Sequence, residues 1–131
     1  MPDHPISIRK HPARVILRAG GRVVADTREA LALHEAALPV VLYIPREDVN
    51  MALLERSSHS THCPYKGDAN YYSLLASGVR LDNVAWTYEK PFPLVAQIEG
   101  HLSFYLDRVE QIIEEPLSGS PISRLSTPVA R

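Results

Sequence analysis

Short apolar runs rich in β-branched residues recur along the chain, separated by turn-forming residues. In the segment ARVILRAGGRVVADT, two such runs are joined by Gly20-Gly21, and a Gly-Gly pair readily adopts the positive φ values that a two-residue hairpin requires. The run PVVLYIP, between Pro39 and Pro45, is short and β-branched, which favours a strand over a helix. Both patterns predict strands in the first part of the chain.

The segments NYYSLLA and NVAWTYEK predict a second strand pair, separated by turn residues around Ser77-Gly78 and Asp82-Asn83. Successive side chains of a strand point to opposite faces of the sheet. In the second segment Val84, Trp86 and Tyr88 therefore share one face, so the aromatic residues of this strand are expected on one side of the sheet.

Helical patterns are short. The segment DVNMALLERS offers Asp48 as an N-cap and predicts two turns. The segment PLVAQIEG has Pro93 in its first turn and Gly100 at its end, which predicts another short helix. In the following HLSFYLDRVEQIIEE the apolar residues fit a helical spacing, but Leu102 and Phe104 also alternate; because the neighbouring elements are strands, we predict a strand first. The sequence therefore predicts a mainly β fold with one or two short helices.

The length of 131 residues is that of one domain and allows a core without disulfide or metal support. We predict a flexible N-terminus over residues 1–5 and a single mainly β domain over residues 6–115. The Pro/Ser-rich sequence of residues 116–131 predicts a flexible tail.

The charge balance and the lack of long apolar runs bear on whether the protein binds nucleic acid or membrane and on its cellular compartment. Basic and acidic residues nearly cancel, 14 against 15, so nothing indicates a general attraction to nucleic acid or to an anionic membrane. No apolar run approaches the ~18 residues of a membrane span, and MPDHPISIRK has no signal-peptide core. The single cysteine suits a reducing compartment. We predict a cytoplasmic protein that binds neither nucleic acid nor membrane.

One polar cluster, HSTHCPYKGDANYY at residues 59–72, holds residue types that carry chemistry. His59, His62 and Cys63 can each bind zinc, but a closed zinc site takes four ligands and the chain has no second cysteine. We therefore predict no metal and no cofactor. A Cys-His pair can also generate a reactive thiolate, with Cys63 as nucleophile and His59 or His62 as base. The structural alternative is that Cys63 only packs in the core.

Lys66 lies in CPYKGD, where Pro64 and Gly67 suit consecutive tight turns. Such turns can aim backbone N–H groups and an ammonium group at an anion, although a solvated turn lysine is the alternative. Aromatic residues on the adjacent strands can line a concave pocket, or form an ordinary core with hydroxyls at its rim. The candidate ligand-binding residues are Arg46, Tyr65, Lys66, Tyr72, Trp86 and Tyr88.

Three motifs, STHCPYKGDANYY, VAWTYEKP and IEGHLSFYLDRVE, together resemble the bacterial and fungal family known as domain of unknown function four-two-seven, over roughly residues 6–115. The resemblance implies a small, mainly β domain similar to the β-tent architecture of Mss-four-like proteins and methionine sulfoxide reductases. The paired cysteine ligands of those relatives are missing here, so their metal is not carried over. The resemblance also implies that Cys63, Lys66, Trp86 and Tyr88 belong to a shared site.

The family sometimes carries the label nucleotidyltransferase. The chain has neither the phosphate-loop pattern of nucleotide-binding proteins nor a cluster of carboxylates that holds magnesium. The resemblance therefore implies a fold and a site, and no established activity.

The leading hypothesis is a small-molecule-binding domain for an anionic ligand. In this hypothesis Lys66 contacts the anionic group, Trp86 and Tyr88 form apolar walls, and Cys63 lines the base. The first alternative is a Cys63-dependent enzyme. The second is a protein-interaction module without a ligand, which predicts a solvent-exposed apolar strip in place of a closed cavity near Lys66. A homo-oligomer is compatible with all three hypotheses.

Overall fold

The computed structural model describes residues 4–117 of the chain. Its strands are β1 (Ile6–Lys10), β2 (Ala13–Ala19), β3 (Arg22–Thr27), β4 (Leu31–Glu35), β5 (Val41–Tyr43), β6 (Leu54–Cys63), β7 (Gly67–Ala76), β8 (Val79–Tyr88), β9 (Leu102–Phe104) and β10 (Gln111–Pro116). Three short 3₁₀ segments cover Arg46–Asp48, Met51–Leu53 and Pro93–Ile98. The prediction of a mainly β fold with only short helical segments is confirmed. No helix within residues 4–117 is both long and apolar enough to cross a membrane.

Within the described residues the strands form three antiparallel sheets, in the orders β1-β4-β5, β10-β2-β3 and β6-β7-β8-β9. In the four-stranded sheet Tyr71 lies opposite Trp86, and Trp86 lies opposite Ser103. A single bridge between Ile44 and Leu102 connects the end of β5 to β9. The likeness to the β-tent architecture stays a prediction.

Two hydrophobic cores lie on opposite faces of the four-stranded sheet. The larger core contains Leu17 of β2 together with Tyr72 of β7. The smaller core contains Tyr43 of β5 together with Tyr71 and Tyr88 of the four-stranded sheet. Because Tyr71 and Tyr72 are adjacent in one strand, their side chains point to opposite sides, and each joins a different core.

Alternation along the strands gives the four-stranded sheet two chemically different sides. Directly paired residues of antiparallel strands share a face. We call the side that carries Thr61, Cys63, Tyr71, Trp86 and Tyr88 the aromatic face.

The opposite side of the same sheet carries Arg56, Asn70, Tyr72 and Thr87, and we call it the arginine face. Arg56 lies directly opposite Tyr72, and the register of β6 shifts between Arg56 and Ser60. A bulge of this kind bends an edge strand and re-aims its side chains.

The predicted hairpin at Gly20-Gly21 is confirmed, since these residues join β2 to β3 with φ values of +60° and +72°. A β-carbon on Gly20 would lie 2.3 Å from the backbone oxygen of Ala76, whereas one on Gly21 would have nothing within 4 Å. Only a glycine at position 20 allows the hairpin to approach the end of β7 this closely. The strands predicted in PVVLYIP, NYYSLLA and NVAWTYEK are also confirmed, as β5, β7 and β8. The turn predicted at Ser77-Gly78 is confirmed, but the turn predicted at Asp82-Asn83 is wrong, because both residues lie inside β8.

The two-turn helix predicted over DVNMALLERS is wrong. Met51–Leu53 forms a single 3₁₀ segment, and the chain becomes extended at Leu54, where β6 begins. The side chain of Asn50 caps this segment by accepting a backbone N–H. The predicted cap, Asp48, instead accepts a hydrogen bond from the Thr27 hydroxyl at 2.7 Å. A tertiary contact therefore occupies the Asp48 carboxylate, which was predicted to cap the helix.

The helix predicted between Pro93 and Gly100 forms as a 3₁₀ segment over Pro93–Ile98, interrupted at Val95 by a non-helical backbone. Gly100 follows it with φ of +71°, a conformation that glycine adopts without strain. The strand preferred at the start of HLSFYLDRVEQIIEE is confirmed as β9.

The ends of the predicted domain coincide closely with strands, since β1 begins at Ile6 and β10 ends at Pro116. In the predicted flexible N-terminus, the backbone oxygen of Pro5 accepts a hydrogen bond from the N–H of Ala36 at 2.8 Å. Residues 1–3 and 118–131, with most of the predicted tail, lie outside the described residues.

Candidate functional site

Lys66 points into the protein. Its side chain is 10% exposed, and Nζ donates a hydrogen bond to Oε1 of Glu35 at 2.6 Å. The other oxygen of that carboxylate lies 2.6 Å from Nε2 of His4, whose ring stacks on Tyr65 with the centroids 3.7 Å apart. The ammonium group that we expected to meet an anionic ligand therefore already faces a carboxylate of the protein.

The turn between β6 and β7 holds Lys66 in this position. The N–H of Lys66 donates to the backbone oxygen of Cys63 at 3.3 Å, and its own backbone oxygen accepts the N–H of Phe92 at 2.9 Å. Gly67 follows with φ of +119°. The tight turn predicted for CPYKGD is confirmed, and it directs the lysine side chain inward.

Opposing effects act on the pKa of the Glu35 carboxyl group. Burial raises the pKa of its carboxyl group, but hydrogen bonds from His4 and Lys66, with the charge of Lys66, outweigh burial and hold this pKa below its ordinary value. Hydrogen bonding to the charged form of a carboxyl group favours that form. Glu35 is therefore an anion at neutral pH and offsets the charge of Lys66.

Trp86 forms the centre of a cluster of rings on the aromatic face. Its indole lies 4.7 Å from the ring of Tyr105 and 6.4 Å from the ring of Tyr71, measured between centroids. The indole N–H donates a hydrogen bond to the hydroxyl of Tyr43 at 3.3 Å. Trp86 is half-buried and Tyr105 is exposed, so part of this ring cluster meets solvent.

Hydroxyl groups accompany these rings. The hydroxyls of Thr61 and Tyr71 are 3.2 Å apart, and burial together with a hydrogen bond to Tyr71 raises the pKa of Tyr105. Ser103, opposite Trp86 in the sheet, is 1% exposed, and its hydroxyl has no hydrogen-bond partner among residues 4–117. The aromatic face thus combines the apolar surface of tilted rings with groups that donate and accept hydrogen bonds.

Tyr43 and Tyr88 lie beneath this surface and are neutral at physiological pH. Burial raises the pKa of Tyr43 to about 12. Burial, with the nearby Tyr43 and Cys63, also raises the pKa of Tyr88. Cys63 is half-buried and packs against the same core. Three of the four residues assigned to a shared site, Cys63, Trp86 and Tyr88, therefore meet in one cluster, whereas the fourth, Lys66, is paired with Glu35.

The two histidines proposed as partners of Cys63 make other contacts. The His59 ring packs edge-on against Tyr71, with the centroids 4.5 Å apart. Nδ1 of His62 lies 2.6 Å from Oδ1 of Asp68, and both of these side chains are exposed. His62 also belongs to the arginine face, opposite in direction to Cys63. Within residues 4–117, no group of three or more His, Cys, Asp or Glu side chains is placed to hold a metal ion.

Arg46 and Tyr72, the remaining predicted ligand-binding residues, are separate from the Lys66 cluster. The Tyr72 ring belongs to the larger core, and its hydroxyl accepts a hydrogen bond from Arg46 at 3.5 Å. Since Tyr72 belongs to the arginine face, the predicted site divides between the two sides of the sheet.

Two surface hollows also lie away from Lys66. One, of about 370 Å³, is lined by Arg14, Asp26, Arg28, Glu29 and Asp48. The other, of about 300 Å³, is lined by Pro45, Arg46, Glu47, Glu99, Gly100 and His101. Neither of these two hollows borders Trp86 or Tyr88.

Sequence reasoning did not identify Glu35, Tyr43 or Ser103. Glu35 lies 31 residues before Lys66, and no local pattern connects the two. Tyr105 carries the one available signal, because it ends the Phe-Tyr pair of the motif IEGHLSFYLDRVE. That motif indicated a shared feature without indicating that its tyrosine contacts Trp86.

Comparison with protein-family models identifies the family of this chain. A family model labelled NTP_transf_9 and described as a domain of unknown function (DUF427) matches residues 7–115. No curated protein matches the chain. The matched range contains β2 to β9, all but the first residue of β1, all but the last residue of β10, and both faces of the four-stranded sheet.

Proposed function

Because this chain belongs to the DUF427 family, a domain of unknown function, we propose from its own geometry that it binds a small molecule on the aromatic face. The binding surface in this proposal is the exposed part of the rings of Trp86 and Tyr105, with the buried ring of Tyr71 packed beside them. Cys63 and Tyr88 form its base.

The observation that carries the proposal is the combination of rings and hydroxyls around one half-buried tryptophan. The ring of Tyr105 at 4.7 Å and that of Tyr71 at 6.4 Å are tilted by 48° and 37° to the indole, and together they provide an apolar surface against which a planar group can pack. The hydroxyls of Thr61 and Tyr71 lie beside these rings, and they provide hydrogen bonds that fix orientation. Ser103 adds a buried hydroxyl without a partner among the described residues.

The same geometry bears on the charge of the ligand. We expected an anion because of Lys66, but Glu35 neutralises its ammonium group at 2.6 Å. The nearby phenols of Tyr43 and Tyr88 are uncharged at neutral pH, and burial raises their pKa values further. The ligand in this proposal is therefore planar and uncharged. Lys66 holds the turn between β6 and β7 in place and does not contact the ligand.

Tryptophan fluorescence tests the proposal directly, because Trp86 is the chain's only tryptophan. Compounds that raise the melting temperature in a thermal-shift screen are titrated while this fluorescence is recorded. Binding on the aromatic face changes the emission, and Tyr105→Ala weakens binding by roughly threefold to tenfold, the range for one aromatic contact.

Tyr65→Ala is the matched control, since Tyr65 and Tyr105 are 45% and 40% exposed and lie apart along the chain. Unchanged affinity is expected in this variant. Stabilising compounds that leave Trp86 emission unchanged, or that bind the Tyr105→Ala variant as tightly as the wild type, would contradict the proposal.

An interaction surface beside the Lys66 turn is a second candidate. Tyr65, Phe92 and Leu94 are 45%, 40% and 69% exposed, and the backbone bond from Phe92 to Lys66 holds their segments together. Exposed apolar side chains grouped in this way are typical of docking surfaces. If the partner is a second copy of the chain, sedimentation should show that the protein associates as its concentration rises. Leu94→Asp should abolish this association. A monomer at every concentration would count against that partner.

We also propose a cytoplasmic location, supported by the single cysteine and the near-equal charge balance. Cell fractionation tests this.

A Cys63-dependent enzyme has less support, because His59 and His62 make their contacts with Tyr71 and Asp68.

A further inference from the structure

The two residues before β1, His4 and Pro5, lie against the turn that carries Lys66. The His4 ring is nearly parallel to the Tyr65 ring, with 12° between the planes and 3.7 Å between the centroids. Nε2 of the same imidazole lies 2.6 Å from Oε2 of Glu35, and Oε1 of that carboxylate accepts the hydrogen bond from Lys66. One carboxylate therefore holds the imidazole ring and the ammonium group side by side.

Burial distinguishes Lys66 from the other two lysines of the chain. The side chains of Lys66 and Glu35 are 10% and 12% exposed, whereas that of Lys10 is 55% exposed. Lys90 is exposed as well. His4, at 25%, is the most exposed of the three side chains that meet at the Glu35 carboxylate. Its imidazole ring thus shields this carboxylate from solvent on the side away from Lys66.

Few contacts hold His4 and Pro5 in place. The ladder between β1 and β4 begins at Ile6, which pairs with Glu35. Before Ile6, the backbone oxygen of Pro5 accepts one hydrogen bond, from the N–H of Ala36 at 2.8 Å, and the proline has no N–H to donate. These two residues can therefore leave the surface without breaking any pair of the ladder. Chain ends with few contacts open at low free energy.

We propose that residues 4–5 form a strap that opens and closes over the Lys66–Glu35 pair and so controls access to the Lys66 amine. With the strap closed, both oxygens of the Glu35 carboxylate are bonded within the protein and Lys66 stays covered. With the strap open, water reaches this carboxylate and weakens the pair, because ion pairs in contact with water contribute little. The Lys66 amine then meets solvent and can react. The strap does not depend on the function proposed for the aromatic face.

A second histidine contact, at the other end of β1, differs in what it covers. Nε2 of His11 lies 3.2 Å from Oε1 of Glu114, and the two side chains are 18% and 42% exposed. Within residues 4–117, Glu114 pairs with no lysine. His11 therefore offers a matched control, in which a histidine–carboxylate contact is removed without uncovering an amine.

Acetylation of the lysines by succinimidyl acetate, followed over time by peptide mass spectrometry, tests the strap. Lys10 and Lys90 give reference rates in the same sample. When opening and closing are fast, the rate at Lys66 follows the population of the open form, so Lys66 should react at least about tenfold more slowly than either reference in the wild type. His4→Ala should raise the rate at Lys66 by about threefold to tenfold, the range for one ring contact and its hydrogen bond.

His4→Phe keeps a ring to stack on Tyr65 and removes the hydrogen bond to Glu35. Its rate at Lys66 should lie between those of the wild type and His4→Ala. His11→Ala should leave the Lys66 rate within about twofold of the wild type, as expected for an independent site.

Hydrogen exchange measures the opening independently, because the N–H of Ala36 is bonded to Pro5. In His4→Ala this amide should exchange faster by about the same factor as Lys66 is acetylated. Amides of the four-stranded sheet should keep their wild-type exchange, which separates strap opening from global unfolding. Equal acetylation of Lys66 in the wild type and His4→Ala, an equal acceleration in His11→Ala, or unchanged exchange at Ala36 would each overturn the proposal.

Discussion

Lys66 and Glu35 form a charge pair 2.6 Å apart whose side chains are 10% and 12% exposed. A buried pair of this kind is weak evidence for net stabilisation, because both groups lose their hydration. Removing one partner is costly, since it leaves the other charge uncompensated. The pair joins β4 to the turn between β6 and β7, so it fixes the position of the turn that carries Cys63.

The first prediction concerns this pair. Lys66→Met should lower the free energy of unfolding by about 3 kcal/mol, because it leaves the Glu35 carboxylate buried with only His4 as partner. The double variant Lys66→Met, Glu35→Leu should be more stable than that single variant, since no charge remains buried. Denaturant unfolding measures both values.

Arg80→Met is the control for this comparison, because its ion pairs are exposed. Arg80→Met should lower the free energy of unfolding by less than about 1 kcal/mol. If Lys66→Met and Arg80→Met lower the free energy of unfolding equally, the buried pair contributes no more to stability than the exposed ion pairs do.

The second prediction concerns acid. The folded-state pKa of Glu35 lies below its ordinary value of 4.5, so the unfolded protein binds this proton more readily than the folded protein. The stabilising effect is therefore complete above pH 4.5 and is lost as the pH falls through the folded-state pKa. Glu35→Gln should flatten the decline of unfolding free energy below pH 4.5, measured by denaturant unfolding across pH.

Glu99→Gln serves as the control for the acid experiment, since Glu99 is an exposed residue next to the third 3₁₀ segment. It should keep the wild-type dependence on pH. Asp26 and Glu89 also have pKa values lowered by arginines, and their contributions stay in every variant. An unchanged slope in Glu35→Gln would assign the acid sensitivity to those carboxylates instead.

The third prediction separates two adjacent glycines. Gly20→Ala should destabilise by about 3 kcal/mol or more, because its β-carbon would lie 2.3 Å from the backbone oxygen of Ala76 and its φ is +60°. Gly21→Ala should cost only about 1 kcal/mol, since its φ of +72° is strained for alanine but nothing lies within 4 Å. Thermal unfolding of both variants gives the comparison, and similar losses would show that the close approach to β7 is not what position 20 requires.

The fourth prediction addresses Cys63. It is half-buried against the smaller core, and neither His59 nor His62 hydrogen-bonds it within the described residues. Alkylation by iodoacetamide at neutral pH should be about tenfold slower in the folded protein than in urea, as for an inert structural thiol. Fast alkylation that His59→Gln abolishes would instead support the Cys63-dependent enzyme.

Sequence reasoning located those features that depend on neighbouring residues. Gly20-Gly21 specified a hairpin through its backbone freedom, and the alternation in NVAWTYEK placed Trp86 and Tyr88 on one face. It failed over DVNMALLERS because Thr27, distant in sequence, takes the side chain of Asp48. Cap preference is a local property, and here a tertiary contact outweighed it.

The candidate site was predicted only in part for the same reason. Cys63, Trp86 and Tyr88 do meet in one cluster. The grouping of Arg46 and Tyr72 with Lys66 came from their proximity to the same strands, and such proximity does not specify a face. The partner of Lys66 comes from β4, and only the folded chain reveals that pairing.

The adjacency of Tyr71 and Tyr72 has a consequence for how this protein evolves. Because alternate positions of β7 pack on opposite sides of the sheet, natural selection can substitute residues of one side without disturbing contacts on the other. A single-residue insertion upstream in that strand would instead exchange the two sets of side chains. The molecule is thus free to diversify by replacement, while a change of length in β7 would alter both sides of the sheet at once.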